Sequence, residues 1–95
     1  MDRHILSIDE NILMEIYEYN LCMIPVCYRT IITSFKNEYD RYTIVRCLDQ
    51  LIDIGLVKYA EWVQIDEQWE YTICLSNDAF NYCNKLKEDI NNAST

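Results

Sequence analysis

Five cysteines, at positions 22, 27, 47, 74 and 83, and one histidine, His4, are the side chains of this 95-residue sequence best suited to redox, metal or proton-transfer chemistry. Their spacing argues against each. No two cysteines form a C-x-x-C pair, and a structural zinc site needs closely spaced thiolate or imidazole ligands. The cysteine count is odd and no disulfide framework is indicated, so the thiols are expected to be reduced, as in a cytoplasmic protein. Cys22 and Cys27 bracket Pro25. An exposed, low-pKa thiol there would be a redox sensor, but free cysteines mostly behave as small buried hydrophobes, and both are expected to do so. His4 lies in a start expected to be unstructured, which removes catalytic triads, His acid–base pairs and His-metal sites. Carboxylates are plentiful, yet paired-carboxylate hydrolysis needs a cleft that so short a chain does not easily build. The single Gly eliminates glycine-rich phosphate loops. Neither an enzyme, a metal site nor a cofactor site is expected.

What remains is a binding module, and length and composition bound it. Residues 1–95 hold one domain, with a core over 7–90 and a polar tail over 91–95. Hydrophobic residues make up 51% and charged residues 25% of the chain, the balance of a packed globular protein. No apolar run approaches the roughly 18 residues of a membrane span, and the charged N-terminus lacks the apolar stretch of a targeting segment. The net charge of −8 repels nucleic acid and anionic membranes at long range. A polyanion could be met only through a local exception.

The elements that would position such an exception can be read along the chain. Ser7 and Glu10 have the spacing of a capping box, starting a helix that runs to about residue 20 with Ile8, Ile12, Leu13 and Ile16 on one face. Pro25 suits the first turn of a second helix over 26–36. Asp40 is an N-cap for a third helix over 41–54, with Ile44, Cys47, Leu48, Leu51 and Ile54 as its buried stripe. Tyr42, Arg46, Asp49 and Asp53 share the opposite face. Gly55 follows, where a helix end favours positive φ. Strands are then expected over 56–65 and 69–75, joined by a tip at Asp66, Glu67 and Gln68. Ser76 caps a last helix over 78–91, whose stripe is Ala79, Tyr82, Cys83, Leu86 and Ile90.

The stretch from Tyr42 through Thr43, Arg46, Leu48, Leu51 and Gly55 to Leu56 and Val57 resembles the recognition helix and exit of bacterial and archaeal winged helix-turn-helix regulators. Ile73-Cys74-Leu75-Ser76 is similar to the last strand of that family and the start of its final helix. The resemblance covers most of the chain. It implies an α+β winged helix-turn-helix fold of three helices, a two-stranded wing and a C-terminal helix. It also implies double-stranded DNA as partner, with the third helix in the major groove. By position it nominates Arg41, Tyr42, Thr43 and Arg46 as groove readers, and Arg29, Lys36 and Lys58 as phosphate contacts. The charge distribution leans the same way. Residues 29–58 hold five of the eight basic residues against four acids, a net of +1, leaving −9 elsewhere.

The wing departs from the family pattern. Its charged residues beyond Lys58 are Glu61, Asp66, Glu67 and Glu70, each of which a phosphate backbone would repel. Trp62 and Trp69, with Tyr59 and Tyr71, are expected to pack the hairpin against the helices, since strand alternation must bury one set. A second reading follows: an acidic winged-helix module that binds a basic protein, presenting nucleic-acid-like charge, through Glu61, Trp62, Asp66, Glu67, Trp69 and Glu70. Met14, Tyr17, Tyr19 and Phe80 are surplus apolar side chains on the terminal helices, from which a homodimer is expected.

Overall fold

Ser7 opens the first helix as the capping box requires: its hydroxyl accepts from the Glu10 N–H at 3.1 Å and its own N–H donates to Glu10 Oε1 at 3.0 Å. The computed structural model describes residues 6–93, so His4 lies outside the described residues. Six elements follow in order: α1 (Ile8–Leu21), α2 (Tyr28–Ser34), α3 (Arg41–Asp53), β1 (Val57–Ile65), β2 (Gln68–Leu75) and α4 (Asn77–Ala93). The protein is α+β, with four helices and one two-stranded antiparallel hairpin, a layout compatible with a winged helix.

α1 is the central element, touching α2, α3, α4 and β2. It buries Ile12, Leu13, Ile16 and Tyr17 against Ile31 of α2, Ile44 and Leu48 of α3, Ile73 of β2 and Cys83 of α4. Hydrogen bonds also tie distant elements to it. Asn20 Oδ1 accepts from the Leu75 N–H at 3.0 Å, and Tyr17 donates to Asn84 of α4.

α1 and α3 end alike. The Met23 and Ile24 amides bond to the Asn20 and Tyr19 carbonyls, and the Gly55 and Leu56 amides bond to the Ile52 and Leu51 carbonyls. Both are Schellman ends, with a left-handed residue just past the helix. Gly55 supplies it at φ 82°, as expected, but after α1 it is Met23 at φ 57°, which no glycine announces. Ile54, expected in the buried stripe of the third helix, is 67% exposed. It occupies the cap itself, where the chain leaves the helix, and Leu56 folds back on the core in its place. Tyr82, expected buried in α4, is half exposed because its hydroxyl reaches out to Glu10. Ile54 and Tyr82 both line an open apolar cleft of about 390 Å³ between α1, α3 and α4.

The second helix is shorter than expected, and Pro25 does not sit in its first turn. Val26 and Cys27 are extended instead: the Val26 carbonyl accepts from the Ile73 N–H at 2.8 Å, and Cys27 forms a single antiparallel bridge with Thr72. Pairing with β2 thus satisfies backbone groups that a helical start would have left open. At the other end of the chain, α4 continues beyond residue 91 to Ala93, capped by the Ser76 hydroxyl, which accepts from the Ala79 N–H at 3.1 Å.

Candidate interaction surfaces

The N-terminal half of α3 is set by Asp40. Its carboxylate accepts from the Thr43 N–H at 2.7 Å, and the hydrogen bonds from Thr43 hold the Asp40 carboxyl below the ordinary carboxylate range. This fixes the first turn so that Arg41, Tyr42 and Arg46 project into solvent, with Tyr42 71% exposed, while Thr43 is half-buried. Arg41, Arg46, Lys36 and Lys58 are exposed and make no ion pair among the described residues.

The C-terminal half of α3 differs. Asp49 accepts a 2.7 Å hydrogen bond from the Tyr28 hydroxyl, which also lies 3.4 Å from the Val45 carbonyl. Burial, and then this bond to Asp49, push the Tyr28 hydroxyl well above its usual range. Asp49 is therefore held against α2, and Asp53 stands exposed near the helix end. The exposed face of α3 is cationic at its start and anionic at its end.

Arg29 and Glu70, which the two readings of the sequence assign to different partners, are bound to each other. The Arg29 guanidinium donates from Nε and Nη2 to the two carboxylate oxygens of Glu70, at 3.3 and 2.5 Å. That two-point bond, and the charge behind it, raise the Arg29 pKa further. The pair joins α2 to the wing, so neither charge is free in this conformation.

The wing carries the largest departure from expectation. Asp66 and Glu67 form a two-residue turn with φ of 51° and 68°, the positive values that a tight hairpin demands, and Gln68 joins β2. Nearer the base, Tyr59 pairs with Ile73 and Trp62 with Tyr71, so two residues of β1, Ala60 and Glu61, face the single Thr72 of β2. This is a β-bulge. Thr72, buried, holds it: its Oγ1 accepts from the Glu61 N–H at 3.0 Å, filling the donor that the bulge leaves outside the ladder. Straight alternation would put Glu61, Val63 and Ile65 on the side of Tyr59. The bulge shifts the count by one and puts Trp62 there instead.

The result is a ladder of rings. Tyr59 lies 5.8 Å from Tyr71, Tyr71 4.8 Å from Trp62, and Trp62 is stacked on Trp69 at 6.1 Å and 17°. All four are 53–55% exposed. The aromatics do not pack the hairpin against the helices. Only Val57, Ile73 and Leu75, at the base, enter the core, and the rings beyond them pack on each other. On the other side of the wing, Ile65 and Asp66 border α2 beside Arg29 and Thr33.

The side chains from which a dimer was expected have other partners: Tyr17 is buried against Phe80 at 5.0 Å, and Met14 and Tyr19 pack on the core. Of the bracketing thiols, Cys27 is buried and Cys22 is exposed. Cys22 follows the last residue of α1, where the chain turns outward. Among the described residues no group of His, Cys, Asp or Glu could hold a metal ion, and no helix is long and apolar enough to cross a membrane. Sequence reasoning missed Thr72 and Tyr28, whose roles depend on partners far along the chain. No family model, curated protein or solved structure matches this chain.

Proposed function

We propose that the chain is a small winged-helix DNA-binding regulator that reads a duplex with the N-terminal half of α3. The observation that carries this is the exposed trio of Arg41, Tyr42 and Arg46, whose arginines make no ion pair among the described residues, at the start of a helix standing beside a hairpin. In helix-turn-helix proteins the first residues of the recognition helix meet base edges. Here that is the cationic end. Arg46 suits guanine, Tyr42 and Thr43 suit phosphate or a thymine methyl, and Lys36 and Lys58 suit the flanking backbone. Asp53 keeps the far end of α3 off the phosphates, and the acidic wing tip does the same for the hairpin.

A binding face with so few free cations makes a specific forecast. If Arg41, Lys36 and Lys58 each neutralise a phosphate, the logarithm of the binding constant falls with the logarithm of salt with a slope of about −3. The experiment is a fluorescence anisotropy titration of random genomic duplexes at low salt, followed by sequence selection. Arg46→Ala should weaken binding to the selected site by about 1 to 3 kcal/mol and relax its sequence preference. Absence of binding at low salt overturns the reading. If the protein pairs, light scattering gives twice 11.4 kDa and the selected site has two halves about one helical turn apart.

A further inference from the structure

The ring ladder of the wing is not used in the proposed reading of DNA, and among the described residues its rings pack on each other rather than on the core. Large contiguous apolar patches are uncommon on monomeric proteins and mark contact sites. Tyr59, Tyr71, Trp62 and Trp69 form one such patch, each ring touching the next. Its chemistry is one-sided. Residues 59–75 contain four carboxylates and no Lys or Arg. Glu70 is engaged by Arg29 on the α2 side, which Asp66 also borders, while Glu61 and Glu67 are exposed, Glu67 at the turn that ends the hairpin. The faces of the rings carry the negative part of the aromatic quadrupole, and the carboxylates add to that field.

We propose that this face of the wing docks an extended, arginine-bearing segment of a basic protein. Charge complementarity selects a cation. The ring faces select Arg over Lys, because a planar, weakly hydrated guanidinium stacks on an indole while an ammonium remains a hydrated point charge. The repeat along the ladder selects an extended chain. Trp69 and Tyr71 stand two residues apart on β2, and every second side chain of a strand points the same way at a spacing of about 6.5 to 7 Å, so same-side guanidiniums of an extended segment meet these two rings in step. The bulge held by Thr72 is what makes the rings contiguous and so creates the surface.

The side chains involved are not those proposed to read DNA, so either reading can fail while the other stands. Both tryptophans of the chain lie in the ladder, and tryptophan emission therefore reports it selectively. The test is a titration of the intact protein with a short peptide alternating Arg and Ser, against one alternating Lys and Ser. The Arg peptide should perturb the emission and bind about two- to fivefold more tightly than the Lys peptide. Trp69→Ala should remove that preference, and Glu67→Lys should weaken both peptides, chiefly by slowing association. Equal binding of the two peptides by the unaltered protein overturns the proposal, as does the absence of any response. Loss of duplex binding in Trp69→Ala would make the ladder a nucleic-acid surface and overturn it too. So would a dimer that Trp69→Ala dissociates, since a second copy would then be the occupant.

Discussion

Replacing Thr72 with Val tests the link between the bulge and the ring ladder. Val has almost the same shape, so packing at this buried position is kept and only the hydroxyl is lost. That hydroxyl accepts the Glu61 N–H at 3.0 Å, the donor that the two-against-one pairing leaves without a ladder partner. A typical hydrogen bond contributes about 0.5 to 1.5 kcal/mol net, and stranding a buried donor costs about 1 to 3 kcal/mol. The bond is partly buried, so water can take up some of the loss, and about 1 to 2 kcal/mol is the expected destabilisation. For a domain of this size that corresponds to a fall in Tm of about 5 to 15 °C. Thermal unfolding followed by far-ultraviolet circular dichroism measures it. The near-ultraviolet signal, dominated by the stacked tryptophans, should fall as well, whereas Thr72→Ser, which keeps the hydroxyl, should retain that signal. A Thr72→Val protein that unfolds within about 0.3 kcal/mol of the original, with its aromatic signal intact, would refute the role given to Thr72.

Three further outcomes are expected. Glu70→Gln releases Arg29 and should steepen the salt dependence of duplex binding by about one unit of slope, with little change in Tm because the Arg29 end of the pair is exposed to solvent. A thiol reagent followed by mass spectrometry should label Cys22 quickly, half-buried Cys47 and Cys74 more slowly, and Cys27 and Cys83 only on unfolding. Burial raises the Cys27 thiol and pushes Cys83 up to about 11, so neither offers a thiolate at neutral pH. Asp40→Ala should lower Tm, and that difference has a defined pH window. Because the folded carboxyl is held below its ordinary value of 3.8, the stabilisation is fully present above that value and is lost as pH falls through the depressed one. Tm measured across acidic pH should show the two proteins converging.

Capping and apolar spacing determined α1, α3 and α4 from the sequence alone. Ser7 with Glu10, Asp40 with Thr43 and Ser76 with Ala79 are hydrogen bonds between residues three apart, so their geometry follows from local backbone shape. Gly55 marked the end of α3 because left-handed φ is easy for glycine, and the same end after α1 went unseen because Met23 adopts it at a cost the rest of the fold sustains. The two strands and their tip were legible from side-chain type. The face each strand presents was not, because one extra residue in β1 inverts the alternation, and that bulge depends on the Thr72 hydroxyl across the hairpin. The start of α2 was lost for the same kind of reason: Val26 and Cys27 find backbone partners on β2, which a local pattern cannot anticipate. Among the candidate residues, the exposure of Arg41, Tyr42 and Arg46 follows from helical periodicity. The pairing of Arg29 with Glu70 and of Tyr28 with Asp49 follows only from the packing of α2 between the wing and α3, which places side chains of distant sequence at hydrogen-bond distance.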